Sequence, residues 1–109
     1  MELESFTFVL LRRPADAPQL PEEELERLQQ QHLAHLAAMK ERRALLVAGP
    51  FDDQPDESLR GFCLYRTSID ETRSLAQQDP SVSAGRLAVD VFTWWTQNGA
   101  LAFPPATAR

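Results

Sequence analysis

The sequence has few of the features that mark secreted, membrane-bound or disulfide-stabilised proteins. Cys63 is the single cysteine, so no disulfide can form within the chain. No apolar run approaches the roughly 20 residues that a membrane-spanning helix needs. The residues Met1 to Glu4 lack the basic and apolar regions of a secretory leader. We therefore expect a cytoplasmic protein with no membrane partner.

Basic residues are also in short supply. The chain has 11 Lys and Arg against 16 Asp and Glu, a net charge of −5. The pairs Arg12-Arg13 and Arg42-Arg43 are isolated and are not interleaved with aromatic residues, so we expect no nucleic-acid partner. No Gly-rich phosphate loop or dinucleotide fingerprint occurs, which favours an activity without a cofactor.

The rest of the composition is typical of one globular domain. The chain has 109 residues, of which 43% are hydrophobic and 25% are charged, and this length fits a single domain with one modest core. We assign residues 1–96 to that domain. We assign residues 97–109, which include Pro104 and Pro105, to a loosely attached C-terminal tail.

Helical periodicity, aromatic and β-branched content and short apolar runs together predict six elements in the order βαββαβ. The predicted strands cover 5–11, 44–49, 61–67 and 86–95, and the predicted helices cover 21–43 and 68–78. Ser68 and Glu71 match a capping box at the second helix, Pro80 forces Asp79 out of helical geometry, and 81–85 is predicted to be a loop. This order predicts a ferredoxin-like α+β fold, in which both helices cover one face of a four-stranded antiparallel sheet.

The first, second and fourth strands carry apolar residues on both faces. Phe6 and Phe8 would lie on one face of the first strand, and Val9 and Leu11 on the other. Because two helices can cover only one face of the sheet, the other face would be a large apolar patch unless a second subunit covered it. We therefore predict a homodimer that packs sheet to sheet.

The main candidate for chemistry is a histidine within the apolar stripe of the first helix. The stripe consists of Leu25, Leu28, His32, Leu36 and Met39. An imidazole exchanges protons near neutral pH, and a carboxylate on its other nitrogen would orient it. Asp79 could supply that carboxylate, since both helices lie on one face. Two simpler interpretations stay open: His32 as a hydrogen-bonded core residue, and Asp79 as a turn residue before proline.

Four further residues are candidates for the wall of a pocket around His32. His35 forms an H-x-x-H pattern with His32, but a metal site needs three or four ligands and no other His or Cys completes one, so we expect no metal. Gly49 and Pro50 most simply end a strand, and they would line the pocket as a by-product. The dimer interface is the favoured position for the tryptophans near the chain end, and Trp94 is kept as a candidate for the pocket lining.

Several short motifs together resemble the YciI-like (YCII-related) family of small dimeric proteins. The matching segments are His32-Leu33-Ala34, Leu45-Leu46-Val47-Ala48-Gly49-Pro50, Asp79-Pro80 with Gly85, Gly61, and Trp94-Trp95. The resemblance covers roughly residues 5 to 96. One departure is that members often carry a basic residue shortly before the histidine, whereas residues 29–31 are glutamines here. That difference argues against anion binding on this side of the histidine.

The resemblance implies a ferredoxin-like dimeric α/β barrel with an active site built around a His–Asp pair, which falls on His32 and Asp79. Related chemistry in the family includes a dehydrochlorinase-type elimination on a hydroxylated aromatic, and the fold resembles that of muconolactone isomerases. The first hypothesis is therefore a cofactor-independent isomerase or lyase that transfers a proton on an unidentified small organic substrate. The alternatives are a non-catalytic module that binds a small molecule in the same pocket, and a purely structural dimer.

Overall fold

The computed structural model describes residues 1–102. Its elements follow in the order β1 (Leu3–Arg12), α1 (Glu22–Glu41), β2 (Leu45–Pro50), β3 (Leu59–Tyr65), α2 (Ile69–Gln77), α3 (Pro80–Ser83) and β4 (Ala88–Gln97). None of the helices within this part of the chain is both long enough and apolar enough to span a membrane. Residues 103–109, most of the predicted tail, lie outside the described residues.

The four strands form one sheet in the order β2-β3-β1-β4, and every neighbouring pair is antiparallel. The helix α1 links β1 to β2, two strands that lie on either side of β3. The predicted antiparallel sheet is therefore confirmed. Its strand order is consistent with a ferredoxin-like arrangement.

The core lies between the helices and one face of the sheet. Val9 and Leu11 of β1 are buried in the same cluster as Met39 of α1 and Leu75 of α2. Because alternate residues of a strand point to opposite faces, the two helices cover the odd-numbered side of β1. The remaining members of the core and its margin are Leu36, Ala44, Leu45, Ala48, Cys63, Tyr65, Val89 and Val91.

The ends of α1 follow from its charges and its proline. Pro21 is the N-cap of α1, whereas the prediction made it the first helical residue. Its carbonyl accepts hydrogen bonds from the backbone N–H groups of Glu24 and Leu25 at 3.0 Å. Three glutamates occupy the first turn, where the helix dipole favours negative charge. After the last turn Arg43 adopts a φ of 65°, which reverses the chain into β2.

The segment after α2 differs from the sequence-based expectation. Ser68 caps α2 as predicted, since its hydroxyl accepts a hydrogen bond from the Glu71 N–H at 3.2 Å. The predicted loop at 81–85, however, begins with α3, a single helical turn. Pro80 occupies the first turn of α3, and Asp79 is its extended N-cap. A proline with a preceding Asp both ends one helix and starts another, and the predicted loop follows from the first effect alone.

The other face of the sheet carries a row of aromatic side chains. Phe8 lies at the centre, with its ring centroid 5.0 Å from that of Phe62 and 5.1 Å from that of Phe92. The ring centroids of Trp94 and Phe6 lie 6.2 Å apart. Phe92 is 46% exposed and Trp94 is 39% exposed, so part of this aromatic face is in contact with solvent.

Gly61 is required by close contact between strands. A Cβ atom at this position would lie 2.4 Å from the Gly49 carbonyl oxygen, whereas a Cβ at Gly49 would meet nothing within 4 Å. We expect Gly61→Ala to lower the free energy of unfolding by about 1–3 kcal/mol, because backbone atoms must move apart. Gly49→Ala is the control and should change it by less than about 0.5 kcal/mol. Urea unfolding measures both, and equal effects would contradict the contact.

Candidate functional site

His32 and Asp79 meet inside the protein although 47 positions separate them in the chain. The His32 Nδ1 atom lies 2.6 Å from the Asp79 Oδ2 atom, which is a short hydrogen bond. Both residues are buried, with 8% of His32 and 3% of Asp79 exposed. The two side chains therefore form one polar unit at the boundary of the core.

Asp79 is held in place by its own local structure. Its second oxygen, Oδ1, accepts a hydrogen bond from the Ser81 N–H at 2.9 Å, and its backbone N–H donates to the Ala76 carbonyl. The carboxylate thus caps α3 and binds His32 at the same time. The turn interpretation and the pair interpretation of Asp79 are therefore compatible, because each uses a different oxygen atom.

This arrangement sets the roles of the two imidazole nitrogens. A carboxylate accepts hydrogen bonds, so Nδ1 carries the proton that Asp79 binds, and Nε2 keeps its lone pair. Such a tautomer makes Nε2 the atom that can take a proton from a neighbouring molecule. The positive charge that would form on the ring would lie next to the carboxylate.

A pocket of about 300 Å³ opens beside His32. This volume fits a molecule of about one ring. Its wall combines one side of α1 with the ends of β1, β2 and β3. The lining residues are Leu11, Arg13, Gln29, His32, Leu33, Leu36, Ala48, Gly49, Pro50, Arg60, Gly61, Ser81 and Leu87. The structure places Gly49 and Pro50, two of the four predicted candidates, in this wall.

His35 lies close to the pair but outside this lining. Its Nε2 atom is buried and has no hydrogen-bond partner among residues 1–102. Burial lowers the pKa of His35, and the neighbouring Asp79 carboxylate opposes that effect. No group of three or more His, Cys, Asp or Glu side chains in the described part of the chain is arranged to hold a metal ion.

Trp94 lies on the opposite face of the sheet from the pocket. It pairs with Phe6 across β1 and β4, so it belongs to the aromatic face. Leu11, which does line the pocket, lies on the helix-covered face. The proposal of Trp94 as a pocket residue is therefore corrected: strand alternation directs its side chain away from His32.

Two arginines and a serine are among the lining residues that were not identified from the sequence. Arg13 follows β1, Arg60 is the second residue of β3, and Ser81 is the second residue of α3. In the sequence, Arg13 stands out only as half of the basic pair Arg12-Arg13. Arg60 sits at an irregularity in the register, since Leu11 pairs with Gly61 but Arg12 pairs with Leu59. No local sequence pattern marks such a bulge.

Cys63 and Tyr65 lie beneath the site in the core. Burial raises the pKa of the Cys63 thiol to about 12, and burial also raises the pKa of the Tyr65 hydroxyl. A thiol with so high a pKa carries almost no thiolate at neutral pH, so its nucleophilicity is low. Cys63 is therefore a small buried residue of the core.

The fold and the site define a small α+β protein in which a buried His–Asp pair borders a pocket of one-ring size. The model of the YCII-related domain matches residues 6–95, and the chain belongs to this family. No curated protein sequence matches the chain.

One solved structure similar to this chain is that of 5-chloro-2-hydroxyhydroquinone dehydrochlorinase from Burkholderia phenoliruptrix AC1100, in complex with 2,5-dihydroxybenzoquinone. The two sequences are 27% identical, and the TM-score is 0.52. The match covers 81% of this chain and 92% of the other chain. The resemblance noted from the sequence motifs is thereby confirmed at the level of the family.

The His32–Asp79 hydrogen bond predicts the effect of Asp79→Asn. The amide offers one oxygen where the carboxylate offers two, so either the Ser81 N–H or the His32 Nδ1–H loses its acceptor. We expect His32 to shift from the Nδ1–H tautomer towards the Nε2–H tautomer, and the free energy of unfolding to fall by about 1–3 kcal/mol. Long-range ¹H–¹⁵N NMR correlations of the imidazole rings measure the tautomer.

His35→Asn assigns the two sets of ring signals and is the control, because it leaves both oxygens of Asp79 in place. A wild-type His32 that already carries its proton on Nε2 would contradict the proposed orientation.

Proposed function

We propose that this protein is an enzyme that uses His32 as a general acid and base, with Asp79 as its orienting partner, on a small organic substrate. The observation that supports this proposal most is the 2.6 Å contact between the two side chains at the wall of a pocket. A buried histidine that served only the core would not need an adjoining cavity.

The reaction follows from the two nitrogens of His32. Nε2 removes a proton from the substrate, and the electron pair left behind forms a new double bond. In an isomerisation, the electrons of a neighbouring double bond shift to the atom at its far end, and the imidazolium returns the proton to that atom. In an elimination, the electron pair displaces a leaving group, which departs with its own bonding pair. Asp79 stabilises the imidazolium in both cases and does not itself take the proton.

The similar solved structure supports a cyclic, hydroxylated substrate. That protein is a dehydrochlorinase, and it was solved with a dihydroxylated quinone bound. A cavity of about 300 Å³ in the present protein suits a molecule of the same size. We therefore propose hydroxylated ring compounds as the first class of substrate to test, with elimination or isomerisation as the reaction.

The first test measures proton transfer directly. We expect the wild-type protein to release chloride from 5-chloro-2-hydroxyhydroquinone, or to accelerate exchange of the ring hydrogens of 2,5-dihydroxybenzoquinone with deuterium in D₂O. His32→Asn should lower the rate at least about 100-fold, because it removes the proton acceptor. His35→Asn is the matched control and should cause a much smaller loss. Chloride titration and ¹H NMR provide the readouts.

Two results would redirect the proposal. If the quinone binds but neither reaction is faster than in buffer, the same pocket belongs to a non-catalytic module that binds a small molecule. If His32→Asn retains the wild-type rate, the imidazole does not carry the proton, and acid–base catalysis by this pair is wrong.

We also propose that the protein is a homodimer in which the aromatic faces of two sheets pack together. Phe92 and Trp94 stay partly exposed on a face that also holds Phe8 and Phe62. Arg12 and Asp90 form an ion pair at the Arg12 end of the same face, which gives the patch a polar margin. An apolar centre with a charged edge is typical of subunit interfaces, and a face that packs on a copy of itself gives a closed dimer.

A charge on the aromatic face tests the dimer. We expect sedimentation velocity to detect a wild-type dimer and to detect a monomer for Phe92→Lys, because a buried unpaired ammonium opposes association. Trp95→Lys is the matched control, since it places the same charge on the same strand with the opposite orientation. Circular dichroism checks that both variants fold. A wild-type monomer, or a dimer that tolerates Phe92→Lys, would contradict this interface.

A further inference from the structure

The His32 pocket contains two positive side chains and no acidic one. Arg13 and Arg60 both line it, and none of the lining residues is Asp or Glu. Asp79 lies behind the histidine, where Nδ1 of His32 and the N–H of Ser81 occupy its two oxygens. The pocket is therefore positive although the chain as a whole is negative.

Both arginines are anchored without being neutralised. Arg13 donates from Nε to the Arg86 carbonyl at 2.8 Å, and Arg60 donates from Nη1 to the Glu57 carbonyl at 3.0 Å. Within residues 1–102 neither side chain forms an ion pair, whereas the adjacent Arg12 pairs with Asp90 on the opposite face. Each guanidinium therefore has one contact to a backbone carbonyl, partly buried at Arg13 and exposed at Arg60, and no carboxylate within residues 1–102 compensates its charge.

The chain brings these charges together by an irregularity in the sheet. Leu11 pairs with Gly61 and Arg12 with Leu59, so Arg60 is an extra residue in β3. A bulge of this kind changes the direction of a side chain, and Arg60 reaches the pocket that Arg13 also lines. Arg13 is partly buried, and its pKa is lowered by that burial and by the positive charges of Arg86 and Arg60.

Like charges held close together in a partly buried site repel each other unless an anion lies between them. Guanidinium groups bind the paired oxygens of carboxylates and similar oxyanions with good geometry. We propose that Arg13 and Arg60 form an anion-binding end of the His32 pocket, so that the natural ligand is a small organic anion. The three glutamines at 29–31 do not exclude anion binding, because the positive charge comes from β1 and β3.

This inference rests on the proposed function for its location, and it adds a substrate class. The negative oxygens of the ligand bind Arg13 and Arg60, while the atom that loses or gains a proton lies next to His32 Nε2. The arginines are binding and positioning residues in this arrangement. They also stabilise negative charge that develops on a substrate oxygen when Nε2 takes a proton.

The test uses benzoate and benzamide, which share a ring and a planar head group but differ in charge. Benzoate has no acidic C–H group, so its binding reports on the anion site independently of proton transfer. We expect benzoate to shift the Nε–Hε NMR signals of Arg13 and Arg60 and to bind at least about tenfold more tightly than benzamide. We also expect benzoate binding to weaken as salt is raised.

Variants identify the groups responsible. Arg60→Gln and Arg13→Gln should each weaken benzoate binding about tenfold or more while leaving benzamide binding nearly unchanged. Arg12→Gln is the matched control, since it removes a positive charge from the residue that directly precedes Arg13 but lies on the opposite face of the sheet. His32→Asn should still bind benzoate, so loss of proton transfer in that variant with benzoate binding retained separates the two proposals.

Three results would overturn the anion site. They are the absence of benzoate binding at tens of millimolar ligand, equal affinity for benzoate and benzamide, and benzoate binding that Arg12→Gln weakens as much as Arg60→Gln does. Circular dichroism and thermal melting show whether each arginine variant is folded. If Arg13→Gln does not fold, the exposed Arg60 position still decides the question.

Discussion

The bond between His32 and Asp79 links two parts of the protein that the sheet alone would not hold together. His32 comes from the middle of α1, and Asp79 comes from the junction between α2 and α3. A buried carboxylate that loses a hydrogen-bond donor keeps its desolvation cost without that compensation, which destabilises a fold by about 1–3 kcal/mol. The pair therefore has a structural effect whatever its chemistry: it ties α1 to the start of α3, in addition to the core cluster that contains Met39 and Leu75.

The pair can have a structural role and the proposed catalytic role together, because the two roles use different atoms. Both Asp79 oxygens and the His32 Nδ1 atom are occupied by internal hydrogen bonds. The bond to Asp79 orients the ring, and in the proposed mechanism Nε2 is the nitrogen available to the substrate. An acid–base group with a fixed orientation loses little entropy when a substrate binds beside it, which is the advantage of a preorganised site.

Much of the fold was predictable from local patterns. Aromatic and β-branched content and short apolar runs identified the strands, and the spacing of Leu25, Leu28, His32, Leu36 and Met39 identified α1. The Ser68 cap and the extended conformation of Asp79 also followed from the local sequence. The prediction missed α3, because a single turn has too few residues for a helical period, and it placed the start of β4 two residues early.

The sequence by itself determined the order of the four strands and the two longer helices, the apolar sheet faces and the candidacy of His32 and Asp79, because those depend on the pattern of each segment and on residue chemistry. Only the tertiary structure decided that His32 and Asp79, which are 47 positions apart in the chain, form a hydrogen bond. It also decided that Trp94 faces away from the pocket. It also decided that Arg13 and Arg60 share one cavity. These relations depend on strand register and on a bulge at Arg60, and register is set by contacts between distant segments.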